Sequence, residues 1–201
     1  MALKFAVNNS LSAVTSLPAS IPTGSMTLLQ TQTASSSATI DFTSGIDSTY
    51  DVYCFKFIDI HPSTEYAHFS FQADTGTNTS YNQTITSTAF TSTHNEADTE
   101  GVIAYQTGSD QAQGTGFQYL TDQLEADNDS CSVGTLTIYN PSSSTFVKHF
   151  ISRNQHHQAD PSSREYYVAG YFNTTTALTR FRFKMSSGNI DSGVIKLYGI
   201  S

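Results

Sequence analysis

The sequence predicts an all-β protein, an antiparallel β-sandwich of jelly-roll type with at most one short helix. Three observations predict it. Short runs of alternating apolar and polar residues recur along the chain, separated by turns rich in Gly, Pro, Asn and Ser. Ser and Thr make up about a quarter of the 201 residues, while charged residues account for only 13%, where about 25% is usual in a soluble domain. Finally, 13 Phe and 11 Tyr, with no Trp, supply the bulky side chains that a pleated, half-buried surface favours.

Residues 1–24 show no sustained period and are punctuated by Pro18, Pro22 and Gly24. They read as an extended N-terminal arm leading into a single β-sandwich domain over 25–201. "SMTLLQTQ" and "ATIDFTSG" are the first two strand-like runs. "TYDVYCFKFIDIHP" follows, with Tyr50, Val52, Cys54, Ile58 and Ile60 on one face and Tyr53, Phe55 and Phe57 on the other. Apolar groups on both faces predict a central strand covered on both sides. "YAHFSFQAD" places Ala67, Phe69, Phe71 and Ala73 opposite His68, Ser70 and Gln72, the pattern of a half-buried strand. "TITSTAFTST" is a Thr-rich strand and "HNEADTEG" an acidic loop. "FQYLTDQLEADNDS" alone has helical spacing, through Phe117, Leu120 and Leu124, enough for a few turns before Asn128 and Asp129.

Two further runs flank the turn "NPSSS", and "REYYVAGYFN" follows. In "LTRFRFKM", Phe181, Phe183 and Met185 face in while Arg182 and Lys184 face out. "GVIKLYGI" is the last run. About nine or ten strands with short connections fit a sandwich. The Ser/Gly-rich "SSGNIDSG" before the last run looks at first like a phosphate cradle. Such a cradle needs a helix after it and a Lys-Ser/Thr pair. Here Val194, Ile195, Leu197 and Tyr198 follow instead, so Gly188, Asn189 and Gly193 are expected to serve a hairpin bend.

A net charge of −8 disfavours a broad electrostatic grip on nucleic acid or an anionic membrane. No run approaches the roughly 18–20 apolar residues of a membrane span, and the first residues lack the continuous apolar stretch of a signal peptide. The expectation is synthesis in a cytosol and retention there at least until assembly. Cys54 and Cys131 are expected as unpaired thiols. Adjacent His156 and His157 point opposite ways in an extended segment, a poor two-ligand metal pair. His94, Glu96, Asp98 and Glu100, and separately Glu125, Asp127 and Asp129, alternate acids without the spacing and Gly of an EF-hand. No nucleophile elbow, zinc helix or family-type Cys setting occurs. The chain is expected to use no metal, no cofactor and no catalytic residues.

Several long blocks carry a resemblance. "MALKFAVNNSLSAVTSLP", "TQTASSSATIDFTSGIDSTYDVYCFKFIDIHP", "YNPSSSTFVKHF", "VAGYFNTT" and "FKMSSGNIDSGVIKLYGIS" resemble virion structural proteins of marine tailed bacteriophages, including those of cyanobacteria. The blocks span nearly the whole chain and include no mechanistic motif. The resemblance implies a non-enzymatic particle component made in the host bacterial cytoplasm, a surface-displayed head decoration or tail or fibre part. It would associate with other virion proteins and with further copies of itself. The arm, through Leu3, Phe5 and Val7, is the expected docking element. An alternative is recognition of host surface glycan by Tyr81, Phe117 and Tyr119 with neighbouring polar groups. A third is a polysaccharide depolymerase, which requires a carboxylate pair in an open cleft.

Overall fold

The computed structural model describes residues 26–158 and 161–201. They form, in chain order, β1 (Met26–Ser37), β2 (Ile40–Phe42), β3 (Val52–Pro62), β4 (Phe69–Thr75), β5 (Ile85–Asn95), β6 (Gly101–Tyr105), β7 (Ala112–Gly114), β8 (Gln118–Tyr119), β9 (Ser132–Tyr139), β10 (Lys148–Gln158), β11 (Ser162–Phe172), β12 (Leu178–Met185) and β13 (Ile190–Ile200). The larger sheet has the order β1-β13-β3-β9-β10-β11-β5-β6, with β7 beside the other end of β5; the smaller is β2-β12-β4-β8. Every pairing is antiparallel. The fold is an all-β antiparallel sandwich, with nine and four strands where a plain jelly roll has eight.

Aromatic side chains join the two layers. Tyr53, Phe55 and Phe57 of β3, Phe150 of β10 and Phe172 of β11 meet Phe69 and Phe71 of β4 and Phe181 and Phe183 of β12 in one buried cluster. The Phe183 ring lies 5.0 Å from Phe55, 5.4 Å from Phe57, 5.8 Å from Phe69 and 6.0 Å from Phe42, mostly edge to face. That is the arrangement the ring quadrupole favours. The alternation of "LTRFRFKM" becomes β12 as expected, with Phe181, Phe183 and Met185 buried.

Four expectations change. First, β3 is central, between β13 and β9, but its outer face is only partly covered among the described residues: Cys54 is buried there while Ile58 is exposed. A bulge between Phe57 and Ile60, with Asp59 at a φ of 52°, flips the phase. Ile60 therefore joins the buried cluster with Tyr53, Phe55 and Phe57, although strict alternation puts it on the opposite face. Second, β4 is buried on both faces rather than one. Third, "SSGN" is no hairpin: β12 and β13 lie in different sheets, so 186–189 is a corner between layers. Asn189 exchanges hydrogen bonds with Ser63 there, and Gly188 adopts a φ of 66° against Ser63 and Thr64. Fourth, residues 117–129 form no helix. Leu120 N–H donates to Phe69 O at 2.8 Å and Leu124 N–H to Ala67 O at 2.9 Å. After the short strand β8 the segment bends through 120–123 and touches down again at Leu124, with both leucines buried, because its backbone donors find partners on 67–69 and not in a helical turn.

Gly134 on β9 has no side chain because β10 runs too close to admit one. A Cβ there would collide with Asn154 Oδ1 and stand 2.6 Å from the Arg153 carbonyl oxygen. Asn154 in turn donates to Leu120 O at 3.0 Å, tying the strap to the sheet. Gly134→Ala is expected to cost about 1–3 kcal/mol through this overpacking, measured as a lower urea midpoint at unchanged slope.

Candidate functional site

The outward side chains of the smaller sheet are Ser70, Gln72 and Asp74 on β4 and Arg180, Arg182 and Lys184 on β12. Ser70, Gln72 and Asp74 are buried because two loops lie over them. Gln72 Nε2 donates to Gln83 O at 3.0 Å and Gly116 O at 2.9 Å. Asp74 accepts from Tyr81 N–H at 2.8 Å and Gln83 Nε2 at 3.1 Å. Tyr81 is part of this cover. Its side chain is only 2% exposed, and the Arg182 guanidinium sits 4.1 Å from its ring centroid, itself held by Asp41 at 2.8 and 2.6 Å. Burial raises the Tyr81 hydroxyl above its ordinary pKa. Tyr81 therefore presents no face to a sugar.

Phe117 and Tyr119 do converge. With Ser70, Gly116, Lys184 and Ser186 they line a cleft of about 270 Å³. The inward neighbour, Gln118, anchors them by accepting from Ser87 Oγ at 2.6 Å and donating to Ser109 O at 2.8 Å. Tyr119 stacks on His68 with centroids 4.4 Å apart and planes within 9°. The Lys184 ammonium lies 4.8 Å from the Phe117 centroid, and Ser186 Oγ accepts from His68 N–H at 2.9 Å. The cleft thus combines fixed aromatic surface with one cation and hydroxyls. Sequence reasoning found the two aromatics; it missed Lys184, which faces outward on β12, and Ser186 and His68, which lie just beyond the ends of β12 and β4.

A second cleft, of about 340 Å³, is lined by Asp59, His61, Asn128, Asp129, Ser130, Cys131, Asp191 and Ser192. It gathers three carboxylates, but its walls are polar. Glycoside cleavage would need two of them set about 5–10 Å apart across the scissile bond. Cys131 is free, and burial followed by the neighbouring Asp59 raises its pKa, so the unreactive thiol form is favoured. Beside the cleft, Ser130 Oγ lies 2.8 Å and Glu125 Oε2 2.5 Å from His157, both at the same ring nitrogen, Nδ1. A nucleophilic relay needs the serine and the carboxylate on opposite nitrogens. This cluster is a structural clasp.

The acidic loop after β5 is a turn closed on itself: Asn95 Oδ1 accepts from the backbone N–H of Thr99 at 2.9 Å and Glu100 at 3.0 Å. Among the described residues no group of three or more His, Cys, Asp or Glu is placed to hold a metal ion, and no helix is long and apolar enough to cross a membrane. Cys54 is free and buried, its thiol pKa raised by desolvation. His156 and His157 split as their adjacency predicts, the first buried and the second partly exposed.

Among the described residues, exposed apolar side chains also gather at one sheet edge. β6 ends the larger sheet and is paired only to β5. Ile103 is 75%, Tyr105 53% and Val102 42% exposed. Leu3, Phe5 and Val7 lie outside the described residues. No family model, no curated protein and no solved structure matches the chain.

Proposed function

We propose that this protein is a non-enzymatic structural component of a tailed-phage particle, acting through protein–protein assembly. The observation that supports the reading best is the β6 edge. Sheet edges are normally blunted by charge, Pro, bulges or brevity, because bare backbone N–H and C=O groups recruit other strands. β6 instead offers Gly-Val-Ile-Ala-Tyr, uncharged and apolar. Such a surface suits a partner of similar chemistry. Purified particles are expected to carry the chain at a fixed, whole-number copy count in quantitative mass spectrometry. Particles free of it would end the reading.

A second reading has its own observation, the convergence of Phe117 and Tyr119 with Lys184. Aromatic faces take the apolar face of a sugar ring, and an ammonium favours an acidic sugar. On that reading Tyr119→Ala weakens binding to an acidic host glycan about tenfold or more, the loss of about 1.4 kcal/mol or more, on an array or by calorimetry. Equal binding by the variant would discard the cleft as a glycan site. Turnover of a polysaccharide that is lost in Asp129→Asn would contradict both readings and favour a depolymerase.

A further inference from the structure

The described strands leave one sheet edge unguarded and the sequence leaves one strand-like run unused, and the two are complementary. Of the edges in the two sheets, β2, β7 and β8 are two or three residues long. β1 is long but broken by a register shift between Leu28 and Gln30, and it is dominated by Thr, Gln and Ser. Shortness and a bulge are recognised ways of keeping an edge from pairing. β6 uses none of them. Its residues alternate about the sheet, with Ile103 and Tyr105 on the outer face beside Ser92 and Phe90, and Val102 and Ala104 on the inner side beside Thr93 and Thr91. A strand added to β6 would find apolar neighbours on both faces.

Leu3, Phe5 and Val7 alternate with Lys4 and Ala6, a period-two run of the same length as β6. Lys4 is the only charged residue among residues 1–25. The ground around β6 is acidic: Glu96, Asp98 and Glu100 precede it in the turn from β5, and Tyr105 donates to Asp110 at 2.7 Å. A strand with one lysine and no acid meets that surface without like-charge repulsion. The length of chain also suffices. Residues 8–25 connect the run to β1, and 18 extended residues span up to about 60 Å.

We propose that residues 3–7 of one copy add as a further strand to the free edge of β6 on a neighbouring copy. This rests on the assembly reading above and specifies its contact. Each copy then donates one strand and accepts one, a heterologous junction that closes into a ring or propagates, as repeated particle components require. Main-chain hydrogen bonds provide affinity, and the alternating apolar side chains set the register.

Two full-length variants test it. Leu3→Asp with Phe5→Asp disables the donor, and Ile103→Lys, at a well-exposed position, disables the acceptor. Each alone is expected to weaken self-association about 100-fold or more in sedimentation velocity, with an unchanged circular dichroism spectrum. A 1:1 mixture keeps one working donor and one working acceptor, so it is expected to give a heterodimer that neither variant forms alone. Wild-type association by either variant overturns the proposal, and so does a mixture that stays monomeric, which points to a strand returned to its own copy. A full chain that stays monomeric yet is counted in particles overturns this contact and leaves the assembly reading standing. Its absence from particles overturns that reading.

Discussion

Phe183→Ala is expected to lower the free energy of unfolding by about 3–5 kcal/mol, the range for removing a fully buried aromatic ring. The high end applies because of where the ring sits. Phe183 is fully buried on β12, in the middle of the smaller sheet. Its neighbours Phe55 and Phe57 belong to the larger sheet, whereas Phe42 and Phe69 belong to its own. Truncation therefore opens a cavity between the layers, at a place where both walls are strands held by their own ladders and cannot collapse inward. Urea unfolding measures the loss. Phe183→Leu, which keeps most of the volume, is expected to recover more than half of it. A loss below about 1 kcal/mol for the alanine variant would mean that the two layers are not joined through this cluster.

Stability is expected to fall steadily as pH drops from 6.5 toward 3, and His156 is expected to account for a large share of the fall. Its side chain is fully buried on β10, and neither ring nitrogen has a hydrogen-bond partner among the described residues. Burial first, then the positive Arg164 and the neighbouring His68 and His157, hold its pKa down to about 3. Arg164 stands directly across on β11 and Ser132 across on β9. The carboxylates of that network are Asp122, which pairs with Arg164 and His68, and Glu125, which pairs with His157. The sign follows from proton counting. Between pH 3 and 6.5 the unfolded chain carries a proton on His156 that the folded chain excludes, so stability rises with pH through that window and is unaffected above it. The slope is about 1.4 kcal/mol per pH unit, up to about 5 kcal/mol across the window. That is comparable with the whole stability of an ordinary domain. His156→Leu is expected to flatten the difference curve between wild type and variant above pH 6.5 and make the variant relatively more stable below it. Parallel curves from pH 7 to pH 4 would show that His156 is not excluded from protonation.

Much of the architecture was legible because side-chain period is a local property. The alternation of Phe181, Phe183 and Met185 needs no partner strand to be read, and it becomes β12 with the expected faces buried. Pairing order is not local. Nothing in "FKMSSGNIDSGVIKLYGIS" announces that β12 and β13 part into different layers, since Gly188 and Asn189 serve a corner as well as a hairpin. The Asp59 bulge is equally silent: one residue at positive φ inverts the phase of Ile60, and alternation counting assumes an unbroken pleat. Phe117, Leu120 and Leu124 fit a helical stripe by spacing alone, yet the carbonyls of Phe69 and Ala67 take the backbone N–H groups of Leu120 and Leu124. For the candidate site, Phe117 and Tyr119 were found because loop aromatics with polar neighbours are unusual enough to notice. Tyr81 shares that local signature and differs only in lying beneath Arg182, a residue about a hundred positions away. Exposure of this kind is decided by long-range covering, which spacing does not encode.

The β6 edge was not singled out in the sequence at all. "GVIAY" is a short apolar run after an acidic turn, and such runs are usually buried; only the strand order shows that it ends a sheet. Hydrogen exchange at the amides of Gly101–Tyr105, followed in the full chain above and below its assembly concentration, tests the central claim most directly. Slow exchange in the assembled state and fast exchange on dilution is the predicted outcome. Outward-facing amides that exchange equally fast in both states, while the copies remain associated, would contradict it.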